Sequence, residues 1–225
     1  MNKSFLFTFA FLFIIMSACK KEEIDGPGGI TISGSVDGHD YVDLGLSVKW
    51  ATKNIGANRS SDYGDYFAWG EINPKSTFNL NNYKWYDSPD NSYTKYCNTS
   101  DYGIVDNKST LEPIDDAAHR LWGNSWRMPT REEMDELRTK CDWWFATHNG
   151  VNGCFLIGPN GNSIFFPFNG SYSEYNFSGG QGTYWSSSND SQYPDKAYVF
   201  FVTEGSLVLP IVRYYGRGIR PVTDK

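Results

Sequence analysis

Two capped, acid-led segments in the middle of the chain limit what it can fold into. Residues 113–121 contain "IDDAAHRL", with acids early, Arg120 late and Gly123 just beyond, the order that suits a helix dipole. Thr130 then opens "TREEMDELRTK". Thr130 and Glu133 have capping-box spacing, and Met134 with Leu137 supplies an apolar side. The remaining patterned stretches read as strands. Residues 41–44 and 47–51 alternate about Gly45, and 65–69 is aromatic. Residues 154–157 and 163–166 flank the turn Gly158-Pro159-Asn160-Gly161, and 197–202 and 207–212 flank Glu204-Gly205. Residues 217–222 look like a closing strand. Strands, two helices, then strands is an α+β order. Aromatics at 17% and 22 glycines suit strands and loops better than a bundle. Residues 72–112 have no clean period, yet their aromatics argue for a long ordered loop region.

The N-terminus concerns location. Lys3 precedes the apolar run 5–16, and Ser17-Ala18-Cys19 follows. That run is short of the roughly 20 residues needed to cross a bilayer, and its layout is that of a secretory leader. Met16-Ser17-Ala18-Cys19 resembles the lipobox of bacterial lipoproteins, with Met where Leu is usual. The resemblance implies a signal peptide at residues 1–18, cleavage before Cys19, and lipidation of Cys19 as a membrane anchor. Residues 19–36 are polar and Gly-rich and read as a flexible tether, leaving 37–225 as one domain. The cluster Lys20-Lys21-Glu22-Glu23 after the lipidated Cys resembles the surface-export signal of Bacteroidetes-type lipoproteins. It implies the outer membrane, with the domain exposed at the cell surface.

Net charge is −6, and losing Lys3 with the leader makes it one unit more negative. No basic patch is evident, which argues against a nucleic-acid partner. Three cysteines remain after Cys19: Cys97, Cys141 and Cys154. An odd number leaves at least one unpaired or paired with another chain; Cys141–Cys154 and Cys97–Cys141 are both open. None has metal-ligand spacing.

Six blocks occur in order: "YVDLGLSVKWATKNIGA", "DYGDYFAWGE", "DDAAHRLWGNSWRMPTREEMDEL", "NGVNGCFLIGPNGNSIFFP", "YWSSS" and "GIRPV". Together they resemble the Fibrobacter succinogenes major paralogous domain, over residues 37 to 223. The resemblance implies a C-type lectin-like fold, with two helices beside mixed β-sheets and long irregular loops. It implies no shared activity. Lys53 stands where the family commonly has Cys, and Cys154 where an aromatic is usual, so no disulfide carries over. Sugar-binding C-type lectins pair a Trp-Asn-Asp element with Glu-Pro-Asn or Gln-Pro-Asp at calcium. Here Ser186-Ser187-Ser188 separates Trp185 from Asn189-Asp190, and no partner tripeptide appears. Calcium-dependent sugar binding therefore loses most of its support, and no cofactor is expected.

Most candidate sites have plain structural readings. In "WRMPT", Trp126 and Met128 suit the core and Thr130 the helix cap, although Arg127 could bind an anion. Asp115 and His119 at i and i+4 would share a helix face, but lack a third metal ligand. His39 and His148 fall in expected loops. Glu71, Asp115 and Glu174 are carboxylates that nothing aims at one bond, and no Ser-His-Asp arrangement can be fixed. Trp85-Tyr86, Trp143-Trp144, Tyr172, Tyr175 and Tyr193 are aromatics able to stack on sugars. Within the lectin-like resemblance, ligand loops lie around "YWSSSND", which favours Tyr172, Tyr175, Asn189, Asp190 and Tyr193 as binding residues. Trp185 itself reads as core. The expected function is a noncatalytic surface lipoprotein whose module binds a glycan or protein partner. The alternatives are a structural role in the envelope and, behind it, an envelope hydrolase.

Overall fold

The structure is a computed structural model that describes residues 28–174 and 176–224. Fourteen short strands and two α-helices are described: β1 Gly34–Val36, β2 His39–Val42, β3 Lys49–Ala51, β4 Tyr86–Asp87, β5 Ser92–Tyr93, α1 Ala117–Trp122, α2 Arg131–Lys140, β6 Asp142–His148, β7 Val151–Ile157, β8 Ser163–Pro167, β9 Ser171–Ser173, β10 Asn176–Ser178, β11 Gly182–Asn189, β12 Lys196–Val202, β13 Leu207–Val212 and β14 Val222–Thr223. The class is α+β. Sheets run β1-β2-β3-β14, β6-β7-β8 and β11-β12-β13, with ribbons β4-β5 and β9-β10. All pairings between these strands are antiparallel.

Local chemistry accounts for the hairpins and helix ends. Asp37-Gly38 (φ 48° and 77°) and Asn149-Gly150 (φ 49° and 80°) are two-residue turns with both centres left-handed, joining β1 to β2 and β6 to β7. That geometry matches the twist of the strands it connects. Thr130 and Glu133 form the reciprocal capping box expected of α2, whose Met134 and Leu137 are buried. Pro210 interrupts the outer strand β13, which blunts that edge against pairing with another chain.

Several expected boundaries move. The helix expected at 113–121 starts only at Ala117, because Asp116 turns its side chain back to cap it. Residues 65–69 form no strand; Phe67 makes a single bridge to Arg217. The closing strand shrinks to Val222–Thr223, and 213–221 cross between sheets instead. The tether's last residues are already sheet, since β1 starts at Gly34 and the Thr31 N–H reaches the Ser163 carbonyl. His39 lies on β2, stacked on Trp122 at 3.8 Å, and not in a loop. Cys97, Cys141 and Cys154 are all free and buried, so neither open pairing forms. The signal peptide and Cys19 lie outside the described residues.

The core has three parts. One gathers Trp50, Phe166, Tyr184 and Phe200 under α2. A second gathers Trp69, Met128, Trp185 and Ile219 under α1. A third, Ala68, Phe78, Tyr83 and Tyr93, lies beneath the long loop region. Buried arginines tie the C-terminal segment to distant loops. Arg220 donates to Asn54 Oδ1 and to the carbonyls of Ala51 and Phe165. Arg213 donates to the carbonyls of Lys95 and Tyr96, its guanidinium 4.3 Å from the Tyr93 ring centroid. Desolvation pushes Arg217 and Arg220 down to about 10. Carbonyl oxygens answer Arg213 and Arg220, while the rings of Trp185 and Phe201 face Arg217.

Candidate functional site

The stretch Tyr184–Asp190 is where the sheet breaks its register. Trp185 pairs with Val199, but Asn189 pairs with Ala197, so four residues advance on β11 against two on β12. Such a bulge re-aims side chains and frees backbone for other partners. Trp185 is fully buried, and its Nε1 donates to the Phe67 carbonyl at 2.8 Å. The bulged serines meet other segments. The Ser187 N–H donates to the Pro129 carbonyl at 2.7 Å, and the Ser187 carbonyl accepts from Leu111 N–H. Ser188 bridges Thr110, and its Oγ accepts from the Arg131 N–H at the start of α2.

Two cavities share Thr110, the residue that bridges Ser188. The first, about 220 Å³, is lined by Ser109, Thr110, Arg131, Glu132, Ser188, Asn189, Ser191 and Tyr198. Arg131 Nη1 donates to the Tyr198 hydroxyl at 3.0 Å, and its guanidinium sits 4.2 Å from that ring's centroid. Burial, with the Asp190 charge, raises the Tyr198 phenol above its ordinary value. The second cavity, about 230 Å³, shares Thr110 and adds Asp116, His119, Trp126, Thr130 and Ser187. Asp116 is committed to structure: its carboxylate accepts from Ala118, His119 and Met128 N–H at 2.8, 3.1 and 2.8 Å. Burial nonetheless raises its pKa. Arg127 is paired with Glu133 and Asp224, so the anion-binding option for it has no free donor face.

The structure separates the expected binding residues. Asn189 and Asp190 are buried at the end of β11. The Asp190 carboxylate turns the chain by accepting from Gln192 and Tyr193 N–H. Asn189 Nδ2 donates to the Tyr96 carbonyl. Of the described members of the set, Asn189 lines the first cavity and the others do not. Tyr172 is half-buried on β9, edge-on to Tyr66 at 4.8 Å and tilted against Phe177. Tyr193 is 46% exposed, with Lys196 Nζ 4.4 Å from its ring. Neither tyrosine lines either cavity. Tyr175 lies outside the described residues.

Other candidates resolve into supports. Trp85 has Lys84 and Lys95 ammonium groups at 4.1 and 5.1 Å, and its Nε1 donates to Gly70. Trp143 packs edge-on to Phe200. Asp115 precedes α1 and does not pair with His119; it accepts from Lys84, Lys95 and the Tyr96 hydroxyl. Burial raises the Asp115 carboxyl, but these donors outweigh it and hold the group below its ordinary value. Glu71 binds Lys75 and the Lys84 N–H, while Glu174 is exposed at a turn. Among the described residues, no three His, Cys, Asp or Glu side chains group to hold a metal. No described helix is long and apolar enough to cross a membrane.

Sequence reasoning missed Ser109-Thr110, Arg131 and Tyr198, three places far apart in the chain that meet beside the bulge. With Glu132 and Asn189 of the same lining, these groups offer hydroxyls, a guanidinium, a carboxylate and an amide, a set for binding by hydrogen bonds. Compared with protein-family models, curated proteins and solved structures, the chain matches none.

Proposed function

We propose that this chain is an outer-membrane lipoprotein of the Bacteroidetes type, anchored through Cys19, that presents a noncatalytic C-type lectin-like module of the Fibrobacter succinogenes major paralogous domain kind. Its partner is a glycan or a protein at the cell surface. The observation that carries the reading is the polar cavity beside the Thr110–Ser188 bridge, next to a long loop region pinned by buried ionic and aromatic contacts. Loops held in one conformation bind with less ordering cost than mobile ones. The lipobox and the lysine-and-acid cluster support the location. Glycan-array and cell-binding assays test the reading; binding no better than a chain with scrambled loops would refute it. Protease shaving of intact cells tests the outward orientation.

A structural role in the envelope is the second reading. Leu207 and Leu209, 48% and 42% exposed, share a face of β13 with Phe201 of the neighbouring strand. An apolar stripe of this kind suits a protein neighbour. Crosslinking in intact cells that recovers one envelope partner, with no glycan binding, favours it.

A further inference from the structure

The cavity beside Ser188 has a chemistry narrower than a general binding role requires. Asn189 lines it but is only 8% exposed, its amide turned to the Tyr96 carbonyl. The accessible chemistry is that of the hydroxyls of Thr110, Ser188, Ser191 and Tyr198, a group type able both to donate and to accept. Tyr198 is the one aromatic in the lining, and the Arg131 guanidinium already stacks on its ring. A ligand seated here is held by hydrogen bonds and not by stacking.

Size and charge narrow the class. At about 220 Å³ the space falls below the roughly 300–1,000 Å³ of sites for drug-sized ligands, so it admits one ring and no extended chain. Glu132 lines the same space, and Arg131 Nε already faces Asp135 at 3.8 Å, so an anionic ring gains little. We infer that the cavity between Thr110, Ser188, Asn189 and Tyr198 takes one neutral sugar residue, held edge-on through its hydroxyls. This rests on the glycan arm of the proposed function.

The test uses the full chain in detergent on an array of immobilised neutral mono- and disaccharides. Ser191→Trp and Thr110→Trp fill the cavity from exposed positions, and Tyr172→Ala perturbs a distant aromatic surface. The expected result is binding to a terminal neutral sugar that falls at least tenfold in both filling variants. Tyr172→Ala should leave it unchanged, and matched melting temperatures would show intact folds. Should one filling variant fail to fold, the other decides. Saccharide binding that survives the filling variants overturns the cavity assignment and leaves the glycan reading standing. An array with no binding to wild type overturns the inference, and in-cell crosslinking then decides whether the protein arm of the reading stands.

Discussion

Replacing Asp116 should unfasten both the first helix and the Met128–Pro129 segment on which the bulge docks. Its carboxylate caps α1 through Ala118 and His119 N–H, and holds Met128 N–H at 2.8 Å. Losing an N-cap side chain costs about 0.5–2 kcal/mol. Met128 is 1% exposed, so its N–H would be left without an acceptor, at about 1–3 kcal/mol. Relief of the buried charge returns part of this, so Asp116→Ala should lose about 3 kcal/mol. Asp116→Asn keeps one oxygen for the cap but faces Met128 with a donor, and should lose about 1–2 kcal/mol. Urea unfolding at pH 7 measures both. Because burial raises the Asp116 pKa, the folded state binds this proton more readily than the unfolded chain. This group's contribution therefore improves as pH falls through its folded value, and both variants should lose that component. If Asp116→Ala fell within about 0.5 kcal/mol of wild type, the claim that this carboxylate anchors the site's floor would be wrong.

Other consequences are equally direct. Cys19→Ala should abolish incorporation of labelled fatty acid and release the protein from membranes; retained labelling would refute the anchor. His39, stacked on Trp122, has its pKa lowered chiefly by burial and then by Lys53, so the unfolded chain protonates first as pH falls. Its contribution is present above its ordinary value near 6.5 and is lost as pH drops through its lower folded value, so urea midpoints should fall from pH 7 to 5 less steeply in His39→Phe. Burial pushes Cys141 and Cys154 up to about 12, so their thiols should resist iodoacetamide in the native protein and react in denaturant. A mass two protons lighter, from a disulfide, would contradict the free thiols.

What the sequence revealed was local. The capping box of α2 is readable because Thr130 and Glu133 are three residues apart and bond to each other. The β7–β8 and β12–β13 hairpins are readable because apolar runs are split by turn residues. Asn149-Gly150 is an equally strong local signal, a two-residue left-handed turn joining β6 to β7. Asp116 shows the limit: an acid at a helix start reads as a dipole partner, but its bond to Met128 needs the fold. The bulge in β11 left no mark of its own, because Pro129 and the loop end at 109–111 draw Ser187 and Ser188 away from β12. The cavity built on that bulge was therefore invisible, while exposed aromatics such as Tyr193 drew attention as lone residues.

The most direct test of the account is amide NMR on the full chain in detergent micelles, titrated with the free form of the sugar that binds best on the array. The account predicts saturable shifts at Thr110, Arg131, Ser188 and Ser191, with residues around Tyr172 unmoved. Shifts centred on Tyr172 and Phe177, with the Ser188 cavity silent, would contradict it.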